Sequence, residues 1–203
     1  MTLRNRVTPT GDIVAVPARG TLMGNRGILH DAQQRIVRDW QVRRWIACRL
    51  EFRGRHRVVM RPGSYTELFF LDEATALAEG HRPCAECRNA DFRVFQALWR
   101  SAVAVDTRAD AMDARLHVER RVRRWQKRTH RANADSLPDG TFIALDDRAW
   151  LVRGDRLLEW SPEGYGARRR RSEIGEVSVL TPPSMVAILR AGYPVSMHTT
   201  AEN

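Results

Sequence analysis

Cys84 and Cys87 form a CxxC, the spacing at which two thiolates reach one tetrahedral zinc ion while nearby backbone amides partly neutralise their charge. A CxxC supplies half of a four-ligand site, so the other ligands must come from elsewhere. The third cysteine of the sequence is Cys48, in Trp45-Ile46-Ala47-Cys48. A lone cysteine on a strand is usually a small buried hydrophobe, whereas the CxxC needs a third ligand; both readings of Cys48 stay open. For the fourth position His56 and His30 compete, each near a hairpin end where its ring can turn inward. Zn2+ in a structural role is the expected cofactor.

A second constellation lies downstream. Asp113 and His117 are four residues apart on a predicted helix, which puts them on one face, where a carboxylate can hold an imidazole in the tautomer that a general base needs. Most histidines on basic helices have no such role. Glu119 and His130 are the further side chains from which a hydrolytic site with Mg2+ or Mn2+ would draw. The same helix carries Arg115, Arg120, Arg121, Arg123, Arg124, Lys127 and Arg128, and like charges at these spacings weaken a helix unless an anion is near. A solvated face is the ordinary explanation. A phosphate-binding face accounts better for so many cations with only Asp110, Asp113 and Glu119 to offset them, making Arg120, Arg121 and Arg124 expected nucleic-acid contacts. Arg168, Arg169, Arg170 and Arg171, in a predicted loop beside Trp160 and Tyr165, are the others. The segment from Arg19 to Gly27 holds three glycines and two arginines in nine positions but lacks the Gly-Lys-Ser/Thr ending of a P-loop, and it reads as tight turns.

The elements that position these residues begin with the run from Phe69 to Arg88, read as strand, short helix and metal knuckle in succession. Asp72 is a good N-cap, Glu73 complements the helix dipole, Ala74, Leu77 and Ala78 form an apolar stripe, and Gly80 with Pro83 stops the helix. With its strand, Glu73-Ala74-x-Ala76-Leu77-Ala78-x-Gly80, Arg82-Pro83-Cys84 and Cys87 in order, this run resembles the second half of the Ada-like zinc-binding modules. These are found in the bacterial alkylation-repair protein Ada and attached to some nucleases. The resemblance covers residues 69–88 only. It implies a module in which four cysteines bind one zinc and which contacts DNA, with Cys84 and Cys87 as the last two ligands. Upstream the sequence departs from that pattern: Phe52 stands four residues after Cys48 where the family has a second cysteine, and His81 takes the place of an aromatic. The family's methyl-accepting cysteine is therefore not assigned to Cys48.

Around this run, residues 13–16 read as a strand, 28–37 as a hairpin, and 43–52 pairs with 56–60 across a turn. Helices are predicted over 91–105 and from about 110 to 127. From Ser136 the composition shifts to short strands and turns, followed by a short helix over 184–190 and a tail that looks disordered beyond Met197. The fold class is α+β, a small sheet and two helices tied by a zinc knuckle and followed by a β-rich module, with domains at 1–135 and 136–203.

The chain has 203 residues, a hydrophobic fraction of 43% and a formal charge of +10. This suits a globular protein attracted to a polyanion, although a bias toward arginine, with Lys127 the only lysine, explains part of the charge. No stretch approaches the roughly 20 apolar residues that span a bilayer, and nothing marks a signal peptide, so a cytoplasmic protein with no membrane partner is expected. The cysteine usage fits metal binding or free thiols better than disulfides. The expected function is a zinc-containing DNA-binding protein acting as a metal-dependent DNA nuclease linked to DNA damage or repair. The alternative is a non-catalytic DNA- or RNA-binding protein with a structural zinc.

Overall fold

A computed structural model describes residues 2–54 and 58–202. The fold is α+β, as the sequence predicts. The first sheet is built from short strands, β1 (Arg6–Val7), β2 (Ile13–Val14), β3 (Leu22–Asn25), β4 (Ile46–Cys48), β5 (Leu68–Phe70) and β6 (Arg82–Pro83), in the order β2-β1-β5-β3-β4-β6. Its pairings are antiparallel except β1 with β5 and β4 with β6, which are parallel.

Helix α1 (Glu73–Ala78) follows β5 directly. It starts where the Asp72 carboxylate accepts the Thr75 backbone N–H at 2.8 Å, and the chain turns away at Gly80, whose φ of +75° a side chain would resist. Every residue of this helix is buried, because its alanines let three different layers approach it. Ala76 packs on the first sheet with Val7, Ile13, Leu68 and Phe70. Leu77 joins Phe95, Trp99, Met112, Leu116 and Ile188, contributed by α2 (Asn89–Ala102), α3 (Ala109–Arg120) and α4 (Pro183–Arg190). Ala74 and Ala78 meet Phe142, Leu151, Leu158 and Tyr165 of the second sheet.

That second sheet is antiparallel throughout. A hairpin between α3 and this sheet is formed by β7 (Arg121–Arg123) and β8 (Gln126–Lys127); the sheet then comprises β9 (His130–Asn133), β10 (Phe142–Leu145), β11 (Arg148–Arg153), β12 (Arg156–Ser161), β13 (Gly164–Arg170) and β14 (Glu176–Val179), ordered β13-β12-β11-β10-β14-β9. No helix among the described residues is long and apolar enough to cross a membrane.

Three local expectations are corrected. The second long helix stops at Arg120 instead of reaching Lys127, and the β7–β8 hairpin sets Arg121 opposite Lys127. A continued helix would turn these two side chains about 120° apart at about 100° per residue; the hairpin lets both reach the buried Glu79. Arg168 to Arg170 lie on strand β13 rather than in a loop. The tail beyond Met197 docks, with Tyr165 donating its backbone N–H to the Thr200 hydroxyl and His198 donating its own to Asp72.

Candidate metal centre and basic face

Strand β4 ends in Cys48, and its parallel neighbour β6 runs straight into Cys84. The Cys84 N–H donates to the Ala47 carbonyl at 3.0 Å, which lays the two cysteines side by side, and the turn closed by Arg88 N–H on the Cys84 carbonyl returns Cys87 to them. The three sulfurs lie within 4.8 Å of one another. Tetrahedral zinc with Zn–S bonds of about 2.3 Å holds its sulfurs about 3.8 Å apart, so a metal ion would draw them together only slightly. Hydrogen bonding from Cys48, together with the backbone N–H groups of Cys87 and Glu86, brings the Cys84 thiol down to about 5, while its hydrogen bond to Cys84 and burial push Cys48 up, and burial raises Cys87. The set can therefore hold a soft divalent metal such as zinc. Among the described residues no other cluster of three or more histidine, cysteine or carboxylate side chains offers a metal site.

Of the competing histidines, His30 is buried between the Thr66 hydroxyl at 2.6 Å and the Arg61 carbonyl at 3.2 Å and does not belong to the cysteine cluster. His81 is buried too, accepting from Arg26 at 3.2 Å, and burial keeps it neutral. His56 lies outside the described residues. A cavity of about 280 Å³ opens onto the three cysteines, with Met23, Ile46, Leu50, Phe52, Tyr65 and Phe69 in its walls.

The four expected hydrolytic residues do not form one cluster, although Glu119 lies close enough to His130 to oppose the lowering of its pKa. Asp113 is gripped in both oxygens by Arg82 at 2.9 and 2.8 Å, a bidentate buried pair, rather than turned toward His117. His117 packs edge-on against Trp40 at 4.5 Å with its Nδ1 buried and without a hydrogen-bond partner. Burial and then Arg120, Arg43 and Arg121 lower its pKa to about 4, far from the range useful to a base at neutral pH. Glu119 accepts the backbone N–H and hydroxyl of Ser184 at 2.9 and 2.7 Å, serving the start of α4. His130 sits on β9 opposite Val179, and burial lowers its pKa.

The arginines divide sharply. Arg120 and Arg121 turn inward, contrary to the expected phosphate contacts. Trp45, fully buried, has guanidinium carbons of Arg120 at 3.8 Å, Arg26 at 4.0 Å and Arg121 at 5.1 Å from its ring centroid. Arg120 donates to the Gly80 carbonyl at 2.7 Å, and Arg121 pairs with Glu79 and Asp39 at 3.0 and 3.5 Å. Arg171 ties the Ala134 and Gly154 carbonyls, Arg169 pairs with Asp146 at 2.7 Å beside Trp150, and Arg168 and Arg170 point to solvent. Of the three expected contacts Arg120, Arg121 and Arg124, the last alone keeps an outward position, over the Trp40 ring at 4.8 Å and on its carbonyl at 3.0 Å.

Arg124 marks a face that sequence reasoning missed. The β7–β8 hairpin docks on the loop from Asp39 to Arg44 through the Trp125 N–H on the Asp39 carboxylate at 2.8 Å. Arg43, Arg44, Arg123, Arg124 and Arg128 are exposed there, together with Trp125, whose surface is 54% accessible. Residues 40–50 and 120–133 contain no acid, and that shared lack is the signal in the sequence. None of the protein-family models, curated proteins or solved structures compared with the chain matches it.

Proposed function

We propose that the protein is a zinc-stabilised DNA-binding protein whose contact surface is the arginine-rich face formed by the 40–44 loop and the β7–β8 hairpin. The observation that carries this reading is exposed Trp125 among five exposed arginines drawn from segments distant in sequence. Guanidinium groups neutralise phosphates, and an exposed indole offers a surface for base stacking. Zinc on Cys48, Cys84 and Cys87 would brace strand β4, which directly follows the loop, and so hold that surface in place. The Ada-like run supports DNA over RNA. Binding is favoured over cleavage because Asp113 is held by Arg82, His117 packs on Trp40 and Glu119 is held by Ser184.

Fluorescence anisotropy with labelled single- and double-stranded DNA, and RNA as competitor, tests this. Affinity should fall steeply with salt, and Arg43→Ala, Arg44→Ala and Arg124→Ala together should lower both the affinity and the salt slope. Trp125→Ala should cost single-strand affinity about 1–3 kcal/mol. An affinity indifferent to salt would refute the reading, and preferential displacement by RNA would replace DNA with RNA as the partner.

A further inference from the structure

The cavity over the cysteines gives the metal site a property that a closed structural site lacks. Cys48, Cys84 and Cys87 supply three ligands from one side, and the space opening onto them is walled mainly by apolar and aromatic side chains. Among the described residues no fourth histidine, cysteine or carboxylate atom joins that cluster. Glu67, a carboxylate in the cavity wall, accepts the Met60 N–H at 2.7 Å. Structural zinc sites are closed by four protein ligands, whereas sites that keep one position for an outside ligand have three and a cavity.

We propose that the fourth position of the metal faces this cavity and takes an exchangeable ligand from outside the chain, a small neutral nitrogen heterocycle that displaces water. This rests on the three-cysteine metal reading above. Three thiolates on a divalent ion leave a net charge of −1. A further anion would raise this to −2 beside the cavity-lining carboxylates Glu67 and Glu86, which Arg49 offsets only in part, while a neutral donor adds no charge. The cavity of about 280 Å³ has room for a single flat ring, and Phe52, Tyr65 and Phe69 supply aromatic walls for it.

The protein loaded with Co2+ reports the site through its thiolate-to-cobalt charge-transfer band and its d–d bands. Titrating imidazole should shift the d–d bands saturably while the charge-transfer band persists, and 2-mercaptoethanol should produce no comparable saturable change. Leu50→Trp and Val59→Trp, substitutions in cavity-lining residues outside helices and strands, should weaken imidazole at least about tenfold and leave the charge-transfer band intact. Bands that ignore imidazole in the parent overturn the inference but keep the three-cysteine reading; if His56→Ala then changes them, the fourth ligand comes from the chain. A response to the thiol alone, or equal imidazole affinity in parent and both tryptophan variants, also overturns it. Absence of any charge-transfer band removes the metal reading and the inference together.

Discussion

Glu79→Gln tests the centre of the charge network most directly. The Glu79 carboxylate is fully buried and accepts from Arg26 at 2.7 Å, Arg121 at 3.0 Å and Lys127 at 2.5 Å. The amide keeps the shape and removes the charge, leaving Asp39 as the acid still paired with Arg121. Breaking a buried pair by removing one partner costs about 3–5 kcal/mol, and here one carboxylate serves three cations. Part of that is recovered, because burial already brings Lys127 down to about 8 and losing Glu79 lets it shed its proton at neutral pH. A net loss of about 3–5 kcal/mol lowers the melting temperature of a chain this size by roughly 6–20 °C. The parent should show a matching acid dependence. The three cations hold Glu79 down at about 2 against burial, below its ordinary 4.5. A depressed carboxylate contributes stability that is complete above the unfolded pKa and lost as pH falls from about 4.5 toward 2, and Glu79→Gln should lack this contribution. Thermal unfolding followed by circular dichroism measures both effects. A melting temperature within about 2 °C of the parent at pH 7 would show that the cations do not depend on Glu79 and would refute the reasoning.

Cys84→Ser should lose the metal and melt well below the parent, and a chelator should lower the parent's melting temperature toward the variant's; elemental analysis showing no zinc in protein purified without chelator would contradict this. Asp113→Asn leaves Arg82 buried without its counter-charge and should destabilise by about 3–5 kcal/mol in denaturant titration, with DNA affinity measured under folded conditions unchanged.

How much could be read from the sequence follows from how far apart the interacting residues are along the chain. The α1 start at Asp72 and stop at Gly80 were legible, since cap and turn act within a few residues. The CxxC was legible for the same reason, and Cys48 joined it because so few cysteines were available. Asp113 and His117 do share the helical spacing that suggested a pair. Arg82, 31 positions upstream of Asp113, offers a bidentate fork that no i, i+4 imidazole can match. Likewise nothing local distinguishes Arg120 and Arg121 from solvated neighbours, because Trp45, Glu79 and Asp39 come from other segments. The shortage of acids beside the helix arginines, only Asp110, Asp113 and Glu119, pointed to an anion, but for Arg121 and Lys127 the compensating charge is the buried Glu79 carboxylate.

That division bears on how the metal and the basic face depend on each other. Trp45 precedes Cys48 by one strand, and its ring is held by Arg26 from the β3 end, Arg120 from α3 and Arg121 from the hairpin. Arg120 also donates to the backbone carbonyl of Arg43 in the surface loop. A metal that draws Cys48 toward the knuckle therefore restrains the strand that Trp45 leads into, and through it the loop bearing Arg43 and Arg44. The buried guanidiniums serve the exposed ones: by fixing the loop against the hairpin, Arg120 and Arg121 set the spacing of the arginines left facing solvent. Loss of metal should then weaken polyanion binding through misplacement of that face even though no cysteine belongs to it.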